Sequence, residues 1–418
     1  PNEHNDWLNQ RSDLFSSFIP LGDKEDKTNT TTVFVPYYSN GLKTQRDAWC
    51  YNSSKKALEN NIKTTIDFYN EQRRLYSQYG KDVKKYASMD STKISWSDGL
   101  FDKLKRGDTI TFDVKSIVES VYRPFSKQYL YFNRDLNERV YQQPKSYPTP
   151  EHKNICICLS GLSAKKDYTC FISNIIPDLN IMEAGSQCFP LYYYEENKGN
   201  IGTLFDQGKE NYIRRDGLTD FILEQCRARY GHKIVKEDIF YYVYGLLHSK
   251  DYREQFAADL KKMLPRIPLV DVPADFWAFS KAGRDLAELH LNYETVPAYP
   301  DVNVIGAETE KFRVEKLTFG KNGKEVDKSV IVYNSYIRIE NIPLEAYDYV
   351  VNGKSAIEWI MDRYQVKTDK DSSITNDPND WGLEHNNPRY ILDLILSIIT
   401  VSMATNEIVK RLPKLDLK

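Results

Sequence analysis

The sequence predicts an α+β protein: an antiparallel β region with a basic helix, followed by a mainly helical region carrying a β-hairpin. Three patterns predict it. Between about residues 100 and 200, short runs rich in Ile, Tyr, Phe and Cys alternate with turn residues. Ahead of them, Leu58, Ile62, Ile66, Tyr69 and Tyr76 recur with a period near 3.6, the spacing of one helix face. After Gly202 the character changes to long helical patterns. The 418 residues exceed what one hydrophobic core usually serves, and this change divides the chain into regions 1–205 and 206–418.

In chain order, Asn2–Phe18 reads as a helix with Trp7, Leu8, Phe15 and Phe18 on one face, and Val33–Tyr38 as a short strand. Asn52 or Ser53 is placed to cap the long helix, which ends by Gly80 and carries Lys56, Lys63, Arg73 and Arg74 on its other face. Strands follow at Thr109–Phe112, Gln128–Phe132, Asn154–Ser160, Tyr168–Ser173 and Gln187–Tyr194. Helical patterns cover Thr219–Tyr230, Lys236–His248, Lys250–Met263 and Ala274–Tyr293. A hairpin is expected over 312–339, with Gly320-Lys321-Asn322-Gly323 as its turn. Helices at Ala356–Tyr364 and Pro388–Leu412 close the chain, with a polar loop at Asp369–Asp380 between them.

Net charge is −2, so nothing global marks a nucleic-acid binder. Two stretches, Lys43–Lys85 and Arg123–Lys166, are each net +5, which leaves the remainder acidic at about −12. Such a distribution can steer an anionic polymer onto one face, although solvated helix faces are also locally basic. Thirty tyrosines suit either a β-rich protein or a half-buried, ligand-facing surface. The six cysteines contain no CxxC pair. Cys156 and Cys158 are two apart, share a strand face, and read as reduced core residues of a cytoplasmic protein and poor metal partners for each other. Together with scattered histidines they imply no zinc site. No secretory signal pattern is read, and the longest apolar run, Tyr390–Ala404, falls short of the roughly 20 residues of a membrane span.

Three catalytic patterns are weighed and set aside. Asn387-Pro388-Arg389-Tyr390 resembles the Asn-Pro-Pro-Tyr loop of adenine methyltransferases, but no strand precedes it, and Asn387 with Pro388 reads as a helix start. Asp178 with Glu196 and Lys198 fits the loose PD…(D/E)xK nuclease pattern, yet Glu196 and Lys198 run into the loop Gly199-Asn200-Ile201-Gly202. Asp275 with Glu288, or Glu195 with Glu196, has no base or metal partner in the pattern. No catalytic or metal-ligating residue is therefore predicted, and no cofactor for this chain.

Binding remains. Tyr122–Arg134, YRPFSKQYLYFNR, alternates as a strand: Gln128, Leu130 and Phe132 on one face, Tyr129, Tyr131 and Asn133 on the other. One face can cover a core while the tyrosines meet a partner. Arginine supplies paired donors to phosphate or guanine, so Arg123 and Arg134 suit a DNA surface. The competing reading has them in internal ion pairs, which arginine also favours.

Several segments resemble the C-terminal specificity part of type ISP restriction–modification enzymes, relatives of the type IIG enzymes. They are NDWLNQRSDL (5–14), YSNGLKTQRDAWCYN (38–52), YRPFSKQYLYF (122–132), NERVYQQPK (137–145), GLSAKKD (161–167), GSQCFPLYYY (185–194) and HSKDYREQFAADLKKMLPRIP (248–268). The resemblance implies a recognition region cut from a longer chain that also holds a nuclease, a motor and an N6-adenine methyltransferase. That parent would use S-adenosylmethionine, ATP and Mg²⁺. It implies double-stranded DNA as partner, no membrane, and a target sequence read by this region. Phosphate contacts are then expected from Lys43, Arg46, Lys127, Lys165 and Lys166, and base contacts from Arg123, Arg134, Gln142, Gln143, Ser186 and Gln187, side chains able to bond base edges. A single-strand binder stacking bases on tyrosine, and the nuclease pattern, are the alternatives.

Overall fold

The computed structural model describes residues 12–79, 83–197, 211–415 and 417. Trp7, Leu8, Gly80, Lys198, Gly202 and the expected division at 205 lie outside them. The long basic helix spans Lys55–Tyr79 and buries Leu58, Ile62, Ile66 and Tyr69, as the 3.6-residue period requires. Its cap is one residue later than expected. The Ser54 hydroxyl accepts the Ala57 N–H at 3.1 Å, while the Asn52 side chain accepts the Ser54 N–H at 2.9 Å in a turn ahead of the helix. Glu384, from the far end of the chain, accepts the Lys55 N–H at 2.9 Å and so adds a carboxylate at the positive helix end.

Two four-stranded sheets form the β region. The first runs in the order Ser39–Asn40, Gln187–Pro190, Cys156–Leu159, Cys170–Ser173, antiparallel throughout. The second runs Tyr51–Asn52, Ser126–Tyr131, Ile117–Arg123, Ile176–Pro177, with its last pair parallel. Of the strands expected from Gln128 to Tyr194, the first three are present, and Gln187–Tyr194 is broken at Leu191 into Gln187–Pro190 and Tyr192–Glu196, which join different sheets. Two further expectations are corrected. Thr109–Phe112 is not a strand, because the Asn70 side chain bonds both the N–H and the C=O of Ile110 and takes the place of a neighbouring strand. Val33–Tyr38 contributes only the bridge from Phe34 to Leu218. The strand Ile117–Arg123 escaped the pattern, since its buried positions do not alternate.

The helices after residue 218 fall close to their expected places: Asp220–Tyr230, Lys236–Leu246, Pro273–Leu291, Ala356–Arg363 and Tyr390–Lys410. Lys250–Met263 is broken into Lys250–Gln255 and Ala257–Leu260. Lys236–Leu246 and Pro273–Leu291 cross backbone to backbone at Gly245 and Gly283, where a Cβ on Gly283 would stand 1.9 Å from the Tyr241 carbonyl oxygen. The hairpin pairs Thr318–Asn322 with Glu325–Val332, so its turn is Gly323-Lys324, shifted along by a bulge at Phe319/Gly320, and two flanking strands make it a four-stranded sheet. The segment expected as an open loop at 369–380 is pinned to the start of the basic helix: the Asn376 side chain accepts the Ser53 N–H at 2.7 Å. Tyr390–Lys410 is the described helix long and apolar enough to cross a membrane by composition, and 61% of its apolar window is buried within the protein.

Two cores draw on both sides of position 205. One joins Phe125, Leu130 and Ile62 to Tyr293, Ile360 and Ile395; the other joins Phe34, Phe189 and Ile157 to Phe240, Phe256 and Phe279. The first sheet lies between them. Along Cys156–Leu159, Cys156 and Cys158 face the first core and Ile157 and Leu159 the second, by the two-residue period of a strand.

Candidate nucleic-acid interface

The stretch Tyr122–Arg134 is a β-hairpin in which Arg123 pairs with Ser126 across Pro124-Phe125. Phe125 takes a left-handed φ of 57° and turns its ring inward, edge-on to Phe171, Tyr293 and Tyr349. Arg123 is internal. It donates to Asp178 at 2.6 Å and to its neighbour's carbonyl, lies 3.7 Å from Asp47, and stacks its guanidinium 3.9 Å from the Tyr122 ring centre. The Tyr122 hydroxyl donates to Asp47 at 3.2 Å, which closes the network. Burial pushes the Asp178 carboxyl up to about 7 against the pull of Arg123.

The expected partner-facing tyrosines are covered as well. Tyr131 is buried, with its hydroxyl accepting the Asp113 N–H at 3.0 Å, and Tyr129 packs on Trp381 with ring centres 4.9 Å apart. The hairpin is therefore sandwiched by the C-terminal part of the chain.

Other expected contacts are corrected in the same way. Arg46 is buried, and its guanidinium donates to the carbonyls of Leu136, Thr44 and Ser95 and to the Ser97 hydroxyl, which leaves no donor face for phosphate. Lys127 is paired with Glu294 and sits over the Tyr293 ring. Gln143 is buried and donates to the Asn40 carbonyl at 2.9 Å. Ser186 and Gln187 are buried at the start of the inner strand Gln187–Pro190 and donate to the carbonyls of Asp178 and Gly185, each at 3.1 Å. The donors of these groups are spent on the fold, although the buried Gln143 Oε1 has no partner among the described residues.

Lys43, Arg134, Gln142, Lys165 and Lys166 remain at the surface, and none of their side chains has a carboxylate partner among the described residues. Structure brings several of them together. Lys43 and Arg139 exchange backbone hydrogen bonds at 3.0 Å in each direction. The Gln142 N–H donates to the Ser39 hydroxyl at 3.1 Å, so the 139–145 segment runs beside the first sheet's edge strand. Next to Gln142, exposed Tyr141 holds a left-handed φ of 49°. Lys145 lies 4.3 Å over the Tyr37 ring, and Tyr37 packs on Tyr193 at 4.1 Å. Tyr193 belongs to the two-stranded ribbon Tyr192–Glu196 with Tyr212–Asp216, whose outer positions hold Arg215 opposite Tyr193. Lys165 and Lys166 sit on a loop whose two backbone N–H groups donate to Glu183, at 2.9 and 2.8 Å. That loop docks on the 183–186 turn through Gly161, and Asn40 bonds the same turn at Gly185.

Exposed and half-buried cations, an amide and rings thus follow one continuous run of chain contacts beside the first sheet, which is itself buried on both faces. Arg134 stands apart, on the loop after the hairpin, where Asn133 accepts the Asp135 N–H at 2.8 Å. Tyr37, Tyr141, Tyr193 and Arg215 were missed by sequence reasoning. Their grouping depends on Tyr37 packing on Tyr193 from a distant segment and on Tyr193 pairing with Arg215 across the ribbon, and no local pattern marks it. For the nuclease pattern, Asp178 is engaged by Arg123, Glu196 is exposed at a ribbon end in a different sheet, and Lys198 lies outside the described residues.

Comparison with known proteins extends this picture. The chain is similar over its whole length to a nuclease-deletion mutant of the Type ISP restriction–modification enzyme LlaGI in complex with a DNA substrate mimic, at 38% identity and a TM-score of 0.86, spanning 36% of that polypeptide. It is equally similar to the ATP-dependent Type ISP enzyme LlaBIII bound to DNA, at 38% identity and a TM-score of 0.87, spanning 25% of that polypeptide. The DrdV–DNA complex matches 97% of the chain at 27% identity with a TM-score of 0.82, and 39% of DrdV is covered. No curated protein matches the chain. The family model of the Type ISP C-terminal specificity domain matches residues 33–394, and the chain belongs to that family.

Proposed function

We propose that this chain is the sequence-specific duplex-DNA recognition part of a single-chain restriction–modification enzyme. The observation that carries the reading is its likeness, over 100% of its length, to two Type ISP enzymes whose structures hold DNA or a DNA mimic. The surface supports it. Lys43, Arg139, Lys165 and Lys166 offer cations with no carboxylate partner among the described residues for phosphates, while Gln142 and Tyr141 offer a donor and a ring for base edges and sugars, and Arg215, whose Nε is paired with Glu195 at 3.1 Å, keeps its outer N–H groups. A ribbon of two strands, such as Tyr192–Glu196 with Tyr212–Asp216, is narrow enough for a major groove about 12 Å wide. Binding is this chain's role, and the adenine methyltransferase, motor and nuclease that it directs belong to the parent polypeptide with their S-adenosylmethionine, ATP and Mg²⁺. The setting is cytoplasmic, where DNA and reduced thiols coexist.

The test is binding-site selection from random duplex DNA at two salt concentrations. A recurrent site, bound more weakly at higher salt, is the expected result. Preference for unpaired strands of any sequence would favour base stacking on tyrosine instead.

A further inference from the structure

Three cysteine sulfurs meet in the first sheet. Cys156 and Cys158 project from one face of the same strand, and Cys188 stands directly opposite Cys158 on the next strand. The Cys156–Cys158 and Cys158–Cys188 sulfurs are 3.7 and 3.8 Å apart, and all three lie within 4.8 Å of one another. The Tyr147 hydroxyl donates to Cys156 Sγ at 3.3 Å and has the Ser173 carbonyl as a second acceptor at 3.2 Å. All four residues are buried.

A tetrahedral zinc ion with Zn–S bonds of about 2.3 Å holds its sulfurs about 3.8 Å apart. Two of the three observed edges, Cys156–Cys158 and Cys158–Cys188, match that length, and the third lies within 4.8 Å. We propose that Cys156, Cys158 and Cys188 form a buried Zn²⁺ site, with the Tyr147 oxygen as fourth donor. Loading breaks up to three S–H bonds; each sulfur gives its electron pair to zinc and its proton to solvent, with no change of oxidation state. With three thiolates on Zn²⁺, the site carries one net negative charge. The shell is closed to solvent, so the ion enters as the chain folds.

The ion would tie the strand Cys156–Leu159 to Gln187–Pro190. Ser39 pairs with Cys188 in the latter, so the clamp would support the edge strand along which the exposed cations run. Cys188 is brought in by strand pairing rather than by spacing, so no linear pattern registers the cluster.

The experiment measures zinc by mass spectrometry in the purified chain, as isolated and after unfolding and refolding with equimolar Zn²⁺, beside Cys158→Ala. X-ray absorption at the zinc edge is recorded on the unsubstituted protein. The expected result is about one zinc per chain with Zn–S distances near 2.3 Å, lost in Cys158→Ala. A chain that refolds without retaining zinc overturns the proposal, as does a zinc edge with only nitrogen and oxygen neighbours. If Cys158→Ala fails to fold, the absorption spectrum of the unsubstituted protein still decides.

Discussion

Arg123 donates to Asp178 at 2.6 Å with only 1% of the Asp178 side chain exposed. A charge pair so placed serves the fold, and its loss strands a buried carboxylate. Arg134, only a few residues further on, is exposed and has no such partner among the described residues. The two arginines of one motif therefore separate experimentally. Arg123→Ala should cost roughly 3–5 kcal/mol of stability, read as a large fall in Tm. Arg134→Ala should leave Tm within the shift of a surface substitution, about 0.5 kcal/mol, and weaken duplex binding. Equal Tm values for the two variants would sink this division.

Lys165 and Lys166 are held by their backbone, through two N–H bonds to Glu183, so their side chains are free to be removed. Lys165→Ala with Lys166→Ala should leave the loop in place and weaken all duplexes alike. The slope of log K against log salt should become shallower by about 0.9 for each lost phosphate contact. Loss confined to one sequence, with the slope unchanged, would show that these lysines read bases.

Acid stability follows from two buried histidines. Burial holds the His290 imidazole down to about 3 and also lowers His248, each with Arg253 nearby. In the unfolded chain both titrate near 6.5. The unfolded state therefore binds more protons between about 3 and 6.5, and stability, complete above that window, falls as pH drops through it. Asp178 acts with the opposite sign. Its folded value of about 7 exceeds the unfolded one, so its contribution is present at low pH and shrinks as pH rises toward 7. Urea midpoints across this range should show a flatter acid limb for His290→Gln and a steeper one for Asp178→Asn. An unchanged limb in Asp178→Asn would mean that Asp178 stays ionised beside Arg123.

The chain alone should neither methylate nor cut DNA. Plasmid incubated with it and S-adenosylmethionine should gain no N6-methyladenine. Plasmid incubated with it and Mg²⁺ should remain intact. Cleavage that disappears in Glu196→Ala would restore the nuclease pattern as a working site.

Periodicity alone was enough for the long helices, though it ran Lys250–Gln255 and Ala257–Leu260 together and did not mark Asp98–Arg106. Leu58, Ile62, Ile66 and Tyr69 share a face at any 3.6-residue repeat, and burying that face needs no knowledge of its neighbour. The same holds for Cys156–Leu159, whose apolar run with β-branched and small residues suits a strand buried on both sides. The family resemblance was legible too, in short segments spread in order along the chain. What only the tertiary structure decided was which polar side chains are available. Arg123 meets a carboxylate 55 residues away and Lys127 one 167 residues away. Arg46 finds the Ser95 carbonyl 49 residues on and the Leu136 carbonyl 90 residues on. A sequence records that a charge is present, but desolvation and pairing depend on segments that approach only after folding. The same applies to the thiols: strand pairing, not spacing, set Cys188 against Cys158.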